Sequence, residues 1–296
     1  LYRDFPEIRE AARARGGARA AVPMGYDTAS LEALIMASEE GFASSMVFAP
    51  ESAVRESERK LGRPLPPDIE VVDVADEAVA AAEAARAAGR GEATMLMKGL
   101  LKTSVLLKAV LDRDSGLRTG RVLSHVAVVF APRQKRLFAV TDGGMVPRPT
   151  PEQLVEMIQN AAGVMRALGC ARPRAALIAA VEVEDPNIPE TITFARLARE
   201  GVEGVDLQGP LAVDGAMDPA AAGVKHIEGP VAGMADILVF PDITSGNAFA
   251  KGFMYMTDTE AGGLIAGAAA PIVMLSRSDT APTKLNSLAL GVVAGG

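Results

Sequence analysis

The sequence predicts an α/β fold in two domains, on three observations. Short apolar runs alternate with amphipathic stretches, the alternation breaks once and then resumes, and 296 residues exceed the usual domain size of roughly 150. Residues 20–24 read as a strand and 28–40 as a helix, with Thr28 as cap, Leu31, Leu34 and Ile35 on one face, and Gly41 to end it. The pattern repeats with β-like runs at 45–49, 69–74 and 94–97 and helix-like runs at 76–88 and 103–111. Strands alternating with helices imply parallel βαβ units.

Two β-branched runs, 124–130 and 136–141, are joined by a turn-like Ala-Pro-Arg-Gln-Lys and break the alternation, which predicts an antiparallel pair. The stiff segment Pro147-Arg148-Pro149-Thr150-Pro151 follows, and a crossing between domains is expected there. The expected domains are therefore 1–146 completed by 266–296, and 147–265. Thr150 is placed to cap a helix over 152–168. Strands are expected at 175–181, 205–213 and 237–240, then a pair at 262–266 and 271–275, and a last helix from 283 to about 293.

Composition excludes several function classes. The chain is 49% hydrophobic and 23% charged, which fits a compact globular protein. The net charge of −7 leaves no global attraction for nucleic-acid phosphates, so an anionic ligand needs a local basic cluster. One cysteine, Cys170, supports neither an internal disulfide nor a Cys-rich metal site and fits a reducing compartment, so a cytoplasmic location is expected. The longest run without polar side chains, 261–275, is too short to span a membrane as a helix. The chain starts Leu-Tyr-Arg-Asp-Phe-Pro without a Met or a signal-peptide pattern, as expected of a trimmed chain, a processed chain or an excised domain.

In open α/β sheets ligands gather at the carboxyl ends of strands, so the informative residues should follow apolar runs. After the run ending at Phe240 comes Pro-Asp-Ile-Thr-Ser245-Gly246-Asn247 and a helix containing Lys251. Gly246 has no side chain to block an anion and helix-start N–H groups favour phosphate, although Ser245 could equally serve as a plain cap. The run 271–275 leads into Ser276-Arg277-Ser278-Asp279-Thr280, which packs a hydroxyl, a fixed cation and a carboxylate into one strand-to-helix turn. That set suits an anionic or carbonyl substrate. Residues 98–121 carry Lys98, Lys102, Lys108, Arg113, Arg118 and Arg121 against Asp112 and Asp114, a basic island that fits a polyanion or a solvated helix face. With only His125 and His226, no Gly-x-Ser-x-Gly elbow and no His-x-x-x-His pair, a Ser-His-Asp hydrolase and a catalytic zinc site have little support. His125 and Cys170 read as structural.

Taken together, several of these stretches resemble the phosphate acetyltransferase and phosphate butyryltransferase family, the butyryl branch more closely. They are Lys98-Gly99, the run Gly-Leu-Arg-Thr-Gly-Arg-Val-Leu-Ser-His at 116–125, and Ile158-Gln159-Asn160-Ala161. Gly209-Pro210-Leu211-Ala212-Val213-Asp214, Ser245-Gly246-Asn247 with Lys251, and Ser276-Arg277-Ser278-Asp279 with Thr283-Lys284 follow in the same order. The resemblance covers residue 94 to the end and is mainly topological before residue 90.

It implies a two-domain, three-layer α/β sandwich like that of isocitrate and isopropylmalate dehydrogenases, with the active-site cleft between the domains. It also implies reversible acyl transfer between coenzyme A and inorganic phosphate through a ternary complex. Acyl-CoA, inorganic phosphate and acyl phosphate are then the partners, coenzyme A is a co-substrate, no cofactor is tightly bound and no metal is needed. Nucleic acid and membrane are not expected as partners. By the same resemblance Ser276 would hydrogen-bond the oxyanion and Arg277 would hold the phosphoryl group or polarise the carbonyl. Lys98, Ser245, Gly246, Asn247 and Lys251 would shape the ligand cleft. Acetyl-branch relatives carry an Asp seven positions after the Ser as base for the CoA thiol; this sequence has Thr283 there, which puts the base in doubt and leaves Asp279 as the nearest substitute by sequence. A homodimer is expected by analogy, and fusion behind an enoyl-CoA hydratase domain is a further expectation raised by the non-Met start. The competing readings are a non-catalytic relative that binds CoA or acyl phosphate, and an oxidoreductase on the related dehydrogenase-like fold.

Overall fold

A computed structural model describes residues 1–274, 276 and 278–295. The chain begins with helix α1 (Phe5–Arg15), strand β1 (Ala18–Pro23), α2 (Thr28–Glu39), β2 (Ala43–Ala49), α3 (Glu51–Leu61), β3 (Ile69–Asp73), α4 (Glu77–Gly89), β4 (Met95–Met97) and α5 (Thr103–Leu111). It continues through β5 (Ser124–Ala131), β6 (Arg136–Thr141), α6 (Pro151–Ala167), β7 (Arg174–Ile178), α7 (Pro189–Glu200), β8 (Asp206–Leu211), α8 (Val213–Met217) and α9 (Pro219–Val224). Last come β9 (Ile237–Val239), α10 (Ile243–Met256), β10 (Ala261–Ala266), β11 (Ile272–Val273) and α11 (Ala281–Ala294).

Compactness divides the chain into two units, one of residues 5–121 with 261–296 and one of 1–4 with 122–260. The first contains a sheet in the order β3-β2-β1-β4-β11-β10, parallel except for β10, which pairs antiparallel to β11 at Ile265 and Ile272. β1 is buried along nearly its whole length, as a parallel strand covered on both faces must be. α4 packs on β1 and β2, and α11 packs on β10, β11, α1 and α2. α11 is consequently buried on nearly all sides, from Ala281 to Val293.

The second unit contains the order β5-β6-β9-β7-β8. β5 and β6 form the expected antiparallel pair, with Val128 opposite Ala139, and the remaining neighbours are parallel. Thr150 caps α6 in a reciprocal capping box with Gln153, as the Thr-Pro-Glu-Gln sequence dictates. The sequence put its crossings at 146/147 and 265/266, whereas compactness puts them at 121/122 and 260/261. The β5–β6 hairpin accounts for the larger difference: β6 pairs with β9 from Ala139–Ile237 to Thr141–Val239, which ties the hairpin to the later residues.

Other boundaries shift for local reasons. Asp27, not Thr28, caps α2, its carboxylate accepting the Ser30 N–H. The runs 175–181 and 205–213 shorten to β7 and β8, and Val213 starts α8. Among the described residues no helix is long and apolar enough to cross a membrane.

Candidate active site

In the first unit the parallel strands β1, β4 and β11 end side by side. The Lys98 N–H donates to the Val273 carbonyl at 2.9 Å, so Lys98 and the segment after β11 leave the sheet together. Gly99 then passes against the end of β1, where an added Cβ would lie 2.3 Å from the Met24 carbonyl oxygen. Only glycine fits there. Lys98 is 6% exposed and its ammonium donates to the Gly99 carbonyl at 3.3 Å. Past β11, the Ser276 N–H donates to Asp279 Oδ2 at 2.8 Å and the Asp279 N–H donates back to the Ser276 carbonyl at 3.1 Å. These two bonds close the turn that presents the Ser276 hydroxyl, which lies 2.9 Å from Ser278 Oγ. Thr280 caps α11, and its hydroxyl is 3.2 Å from that of Thr283. Arg277 lies outside the described residues.

In the second unit β6 and β9 end beside the start of α10. Asp142, directly after β6 and 1% exposed, is the organiser of this edge. Its carboxylate accepts N–H groups of His125 (2.9 Å), Gly144 (2.6 Å), Met145 (2.8 Å) and Val146 (3.3 Å), which folds 142–146 into a tight loop. Asn247 Nδ2 donates to the Gly143 carbonyl at 2.7 Å. A Cβ on Gly246 would sit 2.3 Å from the Asp142 carbonyl oxygen, so glycine is required for α10 to meet the loop. Ser245, Gly246 and Asn247 are thereby brought together against Asp142 and Gly143. Lys251 points away, exposed, with its ammonium 5.8 Å from the Tyr255 ring centroid.

The start of α10 differs from the sequence expectation in one respect. Asp242 is the cap, accepting the Thr244 and Ser245 N–H groups at 2.8 and 3.0 Å, while the Ser245 hydroxyl donates to the Asp242 carbonyl. The helix-start donors assigned to an anion are thus already used, and Ser245 is not the cap. The sequence reading assigns no role to Asp142, or to Asp242 within the Pro-Asp-Ile-Thr-Ser run; Thr-Asp-Gly-Gly after β6 and Pro-Asp-Ile-Thr-Ser after β9 are the signals that mark them.

The other basic and titratable residues lie elsewhere. Lys102, Lys108, Arg113, Arg118 and Arg121 are exposed, and Lys108 shares with Arg86, Ala82 and Ser104 a surface depression of about 390 Å³ between α4 and α5. At the opposite, amino ends of β7 and β9, Asp236 is 1% exposed and receives Arg174 at 2.9 and 3.0 Å and Arg136 at 3.4 Å. Burial lowers the Arg136 pKa, while the hydrogen bond to Asp236 raises that of Arg174. Among the described residues no three His, Cys, Asp or Glu side chains gather closely enough to hold a metal ion.

The edge of the first unit presents the Ser276 hydroxyl, the buried Lys98 and glycine-cleared backbone, a set suited to an oxyanion and phosphate. The family model described as "Phosphate acetyl/butaryl transferase" matches residues 67–292. The chain belongs to this family. It is 35% identical over 300 residues to the phosphate butyryltransferase of Clostridium acetobutylicum, covering 100% of this chain and 99% of that one. It is 39% identical over 297 residues to the phosphate acetyltransferase of Rhizobium meliloti, covering 98% and 92%. Among solved structures, a branched-chain phosphotransacylase from Enterococcus faecalis V583 superposes with a TM-score of 0.84 at 30% identity, covering 94% of this chain and 99% of that chain. These transferases have little length outside the match, so they carry no hydratase domain of their own.

Proposed function

We propose that this member of the phosphate acyltransferase family moves a short acyl group, acetyl or butyryl, reversibly between coenzyme A and inorganic phosphate in a ternary complex. Family membership across residues 67–292 carries the reading. In the forward direction a phosphate oxygen attacks the thioester carbonyl, the electron pair of the C–S bond leaves with sulfur, and the thiolate takes a proton as CoA departs. Ser276 donates to the developing oxyanion, and Arg277 supplies the cation for the phosphoryl group or the carbonyl. Asp279 holds the turn that presents Ser276 and is the nearest carboxylate by sequence for the thiol proton. Thr283, in the first turn of α11 with its hydroxyl 3.2 Å from that of Thr280, is the remaining candidate from the same stretch. Lys98 provides positive charge at the same edge, and Ser245, Gly246 and Asn247 form the second ligand surface, with Lys251, exposed and facing the Tyr255 ring, outside it. Coenzyme A acts as co-substrate.

The chain is further proposed to work in the cytoplasm, where its lone thiol is kept reduced, and as a homodimer. Tyr255 and Met256 at the end of α10 are 62% and 86% exposed, an apolar tip that a second copy would cover. Sedimentation of the purified protein is expected to give twice the chain mass, and a monomer at micromolar concentration removes the dimer.

Phosphate-dependent release of CoA thiol from acetyl-, butyryl- and isobutyryl-CoA tests the activity. Turnover that needs phosphate is expected, and its ranking across the three esters identifies the acyl group. CoA binding without turnover would point instead to a relative that has lost its chemistry.

A further inference from the structure

α10 has one charged side chain, Lys251, among its 14 residues, and its second half holds Phe249, Phe253, Met254, Tyr255 and Met256. Only Gly246 and Ala250 are buried, whereas α11, of the same length, buries eleven residues. A helix facing solvent keeps charge along its outer side, and one that is apolar all round belongs under cover. α10 is covered along one side.

Its contacts fix which side that is. Phe253 meets Phe138 of β6 edge-on at 5.6 Å between ring centroids, Phe249 lies 5.1 Å from the Phe240 ring, and Gly246 meets the loop 142–146. At about 100° per residue, Ala248, Lys251 and Tyr255 point the other way, and all three are exposed. Tyr255 is 62% exposed and Met256 86%, an apolar surface of the kind that marks a protein contact. The Lys251 ammonium lies 5.8 Å from the Tyr255 ring centroid, which keeps its charge over this outer side.

The charge pattern identifies the partner. The chain runs from Lys251 through 252–256 to Thr257 and the exposed Asp258 and Glu260. Cation, apolar middle and carboxylate thus follow in line. A second copy laid antiparallel sets cation against carboxylate at both ends and apolar against apolar between them. A parallel copy sets Lys251 on Lys251. Such a surface is its own complement, as a twofold contact requires, where each residue pair occurs twice.

We propose that α10 is the homodimer contact of this protein: two copies pack their α10 helices antiparallel about a twofold axis near Tyr255, each Lys251 facing the partner's Asp258. The proposal rests on the homodimer reading and draws nothing from the acyl-transfer chemistry. It gives α10 the cover that its composition demands. It also sets a partner helix behind the one that carries Ser245, Gly246 and Asn247.

Sedimentation equilibrium of the whole chain tests it, comparing the unmutated protein with Lys251→Glu, Asp258→Lys and the double variant that carries both. Each single reversal brings like charges together at both ends of the contact, so the dimer Kd is expected to rise at least about tenfold. The double variant restores the pairing with its sign inverted, and its Kd should return to within about threefold of the unmutated value. Both side chains are exposed, so Tm and circular dichroism should stay as they are. Should either reversal not fold, Met256→Glu takes its place, a charge with no complement in the apolar middle, and the same rise is expected. A smaller rise in either single variant, or no recovery in the double variant, overturns the α10 contact.

The readings fail separately. An unmutated chain that stays monomeric removes the dimer, and the α10 contact with it. A dimer indifferent to the reversals removes the α10 contact alone. Phosphate-dependent CoA release by the unmutated protein decides the acyltransferase reading whichever way sedimentation falls.

Discussion

Cys170 sits at the amino-end edge of its sheet, half-buried, with Sγ 3.7 Å from Asp236 Oδ2. Burial first, and the Asp236 charge second, push its thiol pKa up to about 11. An unfolded thiol titrates near 8.5. The folded state therefore holds a proton that the unfolded chain gives up as pH rises, so the contribution to stability is complete below about 8.5 and is lost as pH climbs toward 11. Urea midpoints between pH 8 and 11 should fall less steeply for Cys170→Ala than for the unmutated protein, and identical slopes would refute the shift. The sequence already marks this cysteine as structural, from its place between a helix and a strand. It did not show the cause, since Arg136, Arg174 and Asp236 meet only through the pairing of β6, β9 and β7. Asp142 escaped for a similar reason: its partners Gly144, Met145 and Val146 are local, but burial and the link to His125 arise only when β5 and β6 pair.

At the scale of the element, α10 is positioned by a missing side chain. The Asp142 carbonyl oxygen and carbon would lie 2.3 and 3.0 Å from a Cβ on Gly246, and both are backbone atoms that cannot swing aside. Gly246→Ala should therefore push α10 from the loop 142–146, stretch the Asn247–Gly143 bond and cost about 1 to 3 kcal/mol. Thermal unfolding reads the cost, and an unchanged Tm would show that the contact is slack. Gly246 was legible as a site of close approach because it follows an apolar run at a helix start; that the approaching group is the protein's own backbone was not. Apolarity reports burial rather than geometry, which is why 205–213 read as one strand although Val213 opens a helix. The helices Phe5–Arg15, Glu51–Leu61 and Pro189–Glu200 lie beyond the elements read from sequence. α3 shows why: with only Val54 and Ser57 buried, its apolar signal is too thin to read.

For the whole molecule, the order of events in the reaction follows from which groups could carry an acyl chain. Transfer in two separate half-reactions needs a protein nucleophile with a base to activate it. Cys170 lies at the amino ends of its strands, while the candidate residues lie at carboxyl ends, and its raised pKa keeps it a thiol. Among the described residues Ser276 has Ser278 as its hydroxyl neighbour and no imidazole bonded to it, and the Ser245 hydroxyl donates to the Asp242 carbonyl. Neither serine is arranged as an activated nucleophile. Direct attack of phosphate on the thioester, with both substrates bound at once, is therefore the order the proposed function expects. Initial rates measured against acyl-CoA at several phosphate concentrations should give double-reciprocal lines that intersect. Parallel lines, or a radiolabelled acyl group recovered on the denatured protein, would show an acyl-enzyme and send the search for the nucleophile back to the serines beside Arg277.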